Sequence, residues 1–284
     1  MSVVRRLRAA GLVACAIVAG AVPAPALAEH QAFGGIDGRR SVTAATATTT
    51  SAAALMAATV TTSATAAAAA SPAPAARPAA GRYLAARCGN TSGRVLLTFD
   101  DWSYQRPIRM VELAEALRAR GVGAMFFPLS QYAAAYRRTA HVDVVALTRA
   151  RGMYVGNHTY SHRELSRLGP AAVSWQISHG VPSTVLRPPY GSANASVRAV
   201  AARLGYRLCL RTVGTTDWAG RSPAAICATV RNQARPGGVV LMHLQTRSWA
   251  AVDCIIKGLR SRGLSLCRPA PAPTPARIPN PLYC

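Results

Sequence analysis

The chain has 284 residues with 33 basic and 10 acidic side chains, a formal net charge of +23 in which Lys257 is the only lysine. Half of the residues are hydrophobic but only 6% are aromatic, so alanine supplies much of the apolar content and little buried area per residue. The length allows one or two domains and excludes a miniature disulfide knot or a large multi-domain assembly; the charge points to polyanions, whether nucleic acid, an anionic membrane or an anionic cell wall.

Residues 1–28 read as a secretory signal peptide. Arg5, Arg6 and Arg8 form a basic start, Ala9 to Val22 is an apolar run, and Ala26-Leu27-Ala28 gives a cleavage pattern ahead of Glu29. An uncleaved anchor is the alternative, but the run falls short of the ~20 residues of a spanning helix. Leu12-Val13-Ala14-Cys15 also resembles a lipoprotein cleavage box, and the Arg5-Arg6 pair hints at twin-arginine export. Export, with the product secreted or held at the cell wall, makes nucleic acid an unexpected partner and favours an anionic wall polymer. Removing the three leader arginines leaves about +20.

Residues 29–81 are rich in Ala, Thr and Pro. Such a tract buries too little apolar surface to offset its ordering entropy, so a disordered linker is expected. Residues 82–269 suit one domain, expected as a monomer. Short apolar runs predict strands at 94–99, 124–129, 153–156, 184–186, 207–213, 238–242 and 264–266. Helices are predicted at 107–120, 142–151, 193–204, 222–234 and 249–262, with Pro107, Pro223, Gly121 and Gly152 as start and stop signals. This alternation predicts an α/β fold with a mainly parallel sheet. The proline-rich tail, residues 270–284, reads as extended coil.

Beyond Cys15 the chain holds Cys88, Cys209, Cys227, Cys254, Cys267 and Cys284. An even count in an exported chain suggests three disulfides, and six cysteines permit 15 connectivities among which the sequence does not choose. A Cys88–Cys284 bond joining the two ends is one candidate, and free buried thiols are the alternative. No close CxxC pair offers a metal site.

Active groups in parallel β/α folds gather at the carboxyl ends of strands. The predicted strand ends here lead into Asp100-Asp101, Asn157-His158, Arg187, Asp217-Trp218 and His243. His30, His141 and His179 fall outside these places and read as surface or loop residues. His158 and His162 are four apart; on a helix or tight helical turn both rings would share one face and suit two metal ligands. Asp101 as a third, oxygen ligand would leave a position open for water, the pattern of a catalytic zinc site. Neighbours on a strand face opposite ways, so Asp100 and Asp101 can share one site only where the chain turns.

Five short motifs carry a family resemblance across Arg94 to Cys267. They are Thr98-Phe99-Asp100-Asp101, His158-Thr159-Tyr160-Ser161-His162, Arg187-Pro188-Pro189-Tyr190, Asp217-Trp218 and Leu241-Met242-His243, in that order. The chain thereby resembles the polysaccharide deacetylases of carbohydrate esterase family 4, the chitooligosaccharide deacetylase homology domain. The resemblance implies a distorted (β/α) barrel, a divalent metal with zinc expected, and removal of acetyl groups from N-acetylglucosamine-containing polymers such as peptidoglycan or chitin. It implies Asp101, His158 and His162 as metal ligands, Asp100 as general base and His243 as general acid. Tyr190 would offer its backbone N–H to the oxyanion, Arg187 would orient Asp100 as a bidentate partner, and Asp217 would tune Arg187 and His243. Trp218 and Leu241 would wall the pocket.

Members of that family usually have glycine after the Asp pair, where this chain has Trp102. Glycine permits backbone angles that tryptophan resists, so the turn is expected to differ, and Trp102 becomes a candidate for stacking on a sugar ring. Gly214 stands three before Asp217, where relatives often carry a second Asp. The stretch from His162 to Arg187 is shorter than usual, suggesting a trimmed helix and an altered groove. Two other classes compete with a hydrolase of N-acetyl groups: a glycan-binding envelope protein without turnover, and a basic polyanion binder. An O-acetyl xylan esterase is a further enzymatic alternative.

Overall fold

The structure, a computed structural model, describes residues 83–284. The predicted signal peptide, Cys15 and the linker lie outside the described residues. Seven strands are all parallel where they pair. Strands β1 (Leu96–Asp100), β2 (Ala124–Phe127), β3 (Tyr154–Val155), β6 (Val213–Gly214) and β7 (Val239–His243) form one sheet in the order β3-β2-β1-β7-β6. Strands β4 (Val185–Leu186) and β5 (Arg207–Leu208) form a second pair, joined to β3 by a single bridge between Asn157 and Leu186. The order around the barrel is therefore β6-β7-β1-β2-β3-β4-β5, with an unpaired seam between β5 and β6. This is the distorted barrel that the resemblance implied.

Alternation along each strand sorts the core into two layers. Val95, Leu97 and Phe99 of the first strand region, with Phe126, Val240 and Met242, pack outward against helices. Those helices include α1 (Arg109–Ala119), α3 (Val144–Ala150), α6 (Pro223–Gln233) and α7 (Val252–Ser261). Helix α1 buries Met110, Val111, Leu113, Ala114 and Leu117 as one helical stripe, and the helix stops with Arg120 as its cap and Gly121 at φ 65°. Side chains cap the starts of α3 (Asp143 to Ala146 N–H), α5 (Ala195–Arg203, by Asn194) and α6 (by Ser222, with Pro223 in the first turn).

Facing the other way, Leu96, Met125, Phe127 and Val239 pack with Val185, Cys209, Ala270, Ile278 and Leu282. The proline-rich tail has no helix or strand, yet Ile278, Leu282 and Cys284 are buried, so it packs against the barrel. The disulfides are Cys88–Cys209, Cys227–Cys254 and Cys267–Cys284. This corrects the candidate Cys88–Cys284 pairing: each end of the compact region is tied to its neighbour in space rather than to the other end.

Two helices go beyond the sequence pattern. Helix α2 (Ser130–Ala140) fully buries only Ser130 and Ala133, so it lacks an apolar stripe. Helix α4 (Pro170–Ser178), preceded by a short 3-10 turn at Leu165–Arg167, buries Val173, Gln176 and Ile177 and occupies the stretch expected to be trimmed. The single strand expected over 207–213 splits into β5 and β6 on opposite sides of the seam, and the last expected strand is one bridge, Leu266 to Val95. Helix α7 is preceded by a 3-10 turn at Arg247–Ala251. Among the described residues no helix is long and apolar enough to cross a membrane.

Candidate active site

Thr98 and Asp100 on β1 and Leu241 and His243 on β7 share the inward phase of their strands, and Asp100 and His243 are register partners at the carboxyl ends. The chain leaves β1 with Asp101 at φ 70°, a left-handed turn that lets both carboxylates face one cavity. The expected obstacle at Trp102 does not arise, because the positive φ falls on Asp101. The Trp102 side chain is 4% exposed, stacks near Tyr132 and Tyr136, and does not line the cavity. The sugar-stacking expectation for Trp102 is thus corrected: a large apolar ring has gone to the core, and Tyr104, two residues on, is exposed at the cavity.

Asp101 Oδ1 lies 3.2 Å from Nε2 of His158 and 3.2 Å from Nε2 of His162. The two histidines do not sit on a helix, contrary to the reasoning from their spacing. A loop with Thr159 at φ 71° and His162 at φ 61° brings their rings 5.1 Å apart. Asn157 holds that loop, accepting from the Thr159 N–H at 2.7 Å while its amide donates to the Ile177 carbonyl at 2.8 Å. The Thr159 hydroxyl accepts from the His162 N–H at 3.2 Å.

Nδ1 of His158 is 2.7 Å from the Arg187 carbonyl, so Nδ1 carries a proton and Nε2 is the ring nitrogen turned toward Asp101. Asp101 Oδ1 is buried and has no hydrogen-bond partner. A buried acceptor facing two imidazole nitrogens leaves three electron-rich atoms converging, all within 4.8 Å of one another. A cation satisfies such a set where a further proton donor is missing, and one carboxylate with two imidazoles suits a divalent metal. Where no cation sits between them the imidazoles can take up protons instead: burial would raise the Asp101 pKa, but hydrogen bonds and charge from protonated His158 and His162 outweigh it and hold the carboxyl well below the usual range. Burial opposes charging His158, while Asp100 and Asp101 more than offset it and raise its pKa.

Asp100 is gripped from the other side. Arg187 Nη1 donates to Asp100 Oδ1 at 2.7 Å and to the Thr98 hydroxyl at 2.7 Å. Its Nε donates to the Cys209 carbonyl at 3.2 Å and its Nη2 to the Leu210 carbonyl at 2.8 Å, with the Phe127 ring 4.2 Å beneath. The guanidinium fork is therefore spread over four acceptors; the bidentate grip on Asp100 is replaced by a single bond. Nη2 also lies 3.1 Å from Cys209 Sγ of the Cys88–Cys209 disulfide. Burial lowers the Arg187 pKa, opposed by Asp100.

Asp217 opens a short turn after Thr216 (φ 55°). Its carboxylate accepts from His243 Nδ1 at 2.7 Å, from the His243 N–H at 2.8 Å, and from the hydroxyls of Thr246 and Thr215 at 2.6 and 3.0 Å. Contrary to expectation it touches His243 alone of the expected pair, not Arg187. Burial lowers the His243 pKa, but Asp217 first and Asp100 next outweigh it, so the imidazole titrates above its ordinary value. Burial raises Asp217, and His243 and Thr246 more than reverse this.

Asp100, Asp101, His158, His162, Arg187 and His243 line one cavity of about 660 Å³, with Asp217 buried behind His243. Tyr190, at φ 60° and 70% exposed, stands with its ring 4.8 Å from that of His162. Trp218, 67% exposed, and the half-buried Leu241 complete the walls that the motifs predict. Tyr104, Leu129, Arg211, Thr215 and Gln245 also line the cavity but belong to no motif. Of these only Tyr104, a polar aromatic next to the Asp pair, carries a sequence signal that could have marked it. His141 and His179 are exposed and away from the cavity; His30 lies outside the described residues.

Residues 89–209 match the family model described as Polysaccharide deacetylase. A protein of Bradyrhizobium sp. (strain ANU 289) named Chitooligosaccharide deacetylase is 32% identical over 167 residues, 55% of this chain and 73% of that one. The Bacillus subtilis (strain 168) Peptidoglycan-N-acetylmuramic acid deacetylase PdaC is 31% identical over 182 residues, 61% of this chain; this chain spans only 37% of its length. Among solved structures, a family 4 carbohydrate esterase from Streptomyces lividans in complex with acetate superposes with a TM-score of 0.54 at 31% identity, over 64% of this chain and 98% of that one.

Proposed function

Because this chain belongs to the polysaccharide deacetylase family, we propose that it is an exported, metal-dependent hydrolase of acetyl groups on N-acetylglucosamine-containing polymers of the peptidoglycan or chitin type. The observation that carries this reading is the unpartnered Asp101 Oδ1 set against the Nε2 atoms of two histidines, beside a second carboxylate, Asp100, and a histidine–aspartate pair, His243 and Asp217.

Asp101, His158 and His162 would hold a divalent cation, with zinc expected from the donor set. When bound, such an ion supplies Lewis-acid polarisation of the acetyl carbonyl and of an attacking water. Asp100, fixed by Arg187, takes a proton from that water as it adds to the carbonyl carbon. The backbone N–H of Tyr190 donates to the oxyanion that forms on the substrate. His243, with Nδ1–H held on Asp217, presents Nε2 and gives a proton to the sugar nitrogen as the C–N bond breaks. Acetate and the free amine result. Trp218 and Leu241 wall the acetylated sugar. Residues 1–28 direct export as a cleaved leader, residues 29–81 link, residues 82–269 form the catalytic domain and residues 270–284 its tail.

Acetate release from peptidoglycan, chitin and acetylated xylan, with purified metal-loaded protein, tests the reading. Release from an N-acetylglucosamine polymer should stop with chelator, return with zinc, and vanish in Asp101→Asn. Activity untouched by prolonged chelation or by that substitution would sink the metal role. Glycan capture with no acetate release from any polymer would leave only a binding module.

A further inference from the structure

Arg211 lies in the loop between β5 and β6 and lines the same cavity as Asp100, His162 and Trp218, yet the reaction above gives it no task. Its guanidinium offers five N–H donors in a planar fork. Among the described residues every acidic side chain is already committed. Glu112 pairs with Arg106, Asp253 with Arg120, Asp143 with Arg137, Glu115 with Arg151 and Glu164 with Arg167. Asp100 pairs with Arg187, Asp217 with His243, and Asp101 faces the two cavity histidines. No side-chain carboxylate among the described residues is left to neutralise Arg211.

The side chain is exposed and runs past two glycines. A Cβ at Gly214, on β6, would stand 3.2 Å from Arg211 Nε, and a Cβ at Gly191, just after Tyr190, would stand 3.2 Å from Nη1. Both glycines therefore lie beside the guanidinium, and Gly191 at φ 70° takes a backbone conformation other residues resist. The result is an exposed positive charge, without a carboxylate partner among the described residues, on the wall of the cavity that the deacetylase reading gives to a sugar chain. Hydroxyls of a neutral sugar engage such a group as ordinary acceptors. A carboxylate engages two of its N–H groups at once and gains the charge as well.

We propose that Arg211 is a specificity residue that selects polymers in which a carboxylate-bearing sugar accompanies the acetylated one, in preference to neutral chitin-type chains. The proposal rests on the deacetylase reading and narrows its substrate class. Two sources supply the same chemistry: the lactyl ether carboxylate of muramoyl residues in peptide-free peptidoglycan strands, and uronic acid branches on acetylated xylan.

The test measures equilibrium binding and acetate release side by side. The ligands are peptide-free peptidoglycan glycan strands, the same strands with their carboxylates amidated, acetylated glucuronoxylan with its amidated counterpart, and chitooligosaccharides of matched length. The native protein should bind an acidic polymer about fivefold tighter than its amidated form, the size of a partly exposed ion pair, and the preference should shrink with added salt. The polymer that shows it identifies the source. Arg211→Gln should abolish the ratio, and Arg211→Lys should keep part of it. Equal binding of acidic and amidated strands by the native protein, or an unchanged ratio in Arg211→Gln, overturns the proposal. A charge preference with no acetate release from any polymer sinks the deacetylase reading instead, and acetate release without the preference sinks only the role of Arg211.

Discussion

Replacing Arg187 by lysine separates the charge of the guanidinium from its fork. Lysine can still set one ammonium donor against Asp100 Oδ1, now 2.7 Å from Nη1. It cannot also reach the Cys209 and Leu210 carbonyls, which Arg187 holds with two further nitrogens at 3.2 and 2.8 Å. An acceptor left without its donor in such a place costs about 1–3 kcal/mol, so two give about 2–6 kcal/mol against a domain stability of about 5–15 kcal/mol. The ammonium is also free to shift along its flexible stem, and a displacement of Asp100 of about 1 Å is enough to lower turnover about 100-fold. Urea unfolding with the disulfides intact reads the first quantity, and acetate-release kinetics read the second. We expect a lower unfolding midpoint together with a fall in kcat at little-changed KM. Arg187→Met should do worse, by about 3–5 kcal/mol, because it strands a buried carboxylate. Arg187→Lys with stability within about 0.5 kcal/mol of the native protein and full kcat would refute the idea that the spread fork fixes the base.

Two other expectations concern the acid and the packing. His243 titrates above its ordinary value because of Asp217, so its contribution to stability is complete below the ordinary imidazole pKa and is lost as pH rises through the raised one; Asp217, lowered, contributes above the ordinary carboxyl pKa and loses this as pH falls through the lowered one. Asp217→Asn should therefore move the alkaline limb of the activity profile to lower pH, and an unmoved limb would show that His243 is not the acid. Trp102→Ala should cost about 3–5 kcal/mol of stability, whereas Trp218→Ala at the cavity wall should weaken glycan binding while leaving stability within about 0.5 kcal/mol. The reverse pattern would restore Trp102 as a sugar platform.

The strands that carry chemistry were readable because their apolar runs end in charged residues: Leu96 to Asp100 and Val239 to His243 fall within a residue or two of expectation. The parallel alternation followed from the same runs. Helix α2 was not readable, since Tyr132 and Tyr136 pack only in part and no apolar stripe marks it. The loop of His158 and His162 shows a different limit. Four-residue spacing suggests a helix, but the geometry comes from Asn157, Thr159 and two left-handed residues, and such backbone signs are not written in residue type. The Cys88–Cys209 pairing likewise depends on β4 and β5 standing apart from the main sheet, which no local pattern states. Arg211 is one arginine among many in sequence, and only its place on the cavity wall without a carboxylate partner among the described residues sets it apart.

The gap between β5 and β6 has a consequence for how this barrel can vary. A ladder of backbone hydrogen bonds fixes its neighbours at about 4.8 Å whatever the side chains, so a fully laddered barrel has a set circumference. Here no ladder closes that interval; its β5 side is held by the Tyr83 to Asn90 segment, whose Tyr83 hydroxyl and Ala85 carbonyl meet Leu208 and Leu210, by one sulfur bridge, and by the Arg187 guanidinium that ties Leu210 to Asp100. The girth of the wall next to Asp100 is therefore written in residue identity. A change of one side chain at the joint can widen or narrow the cavity without breaking a single strand pair.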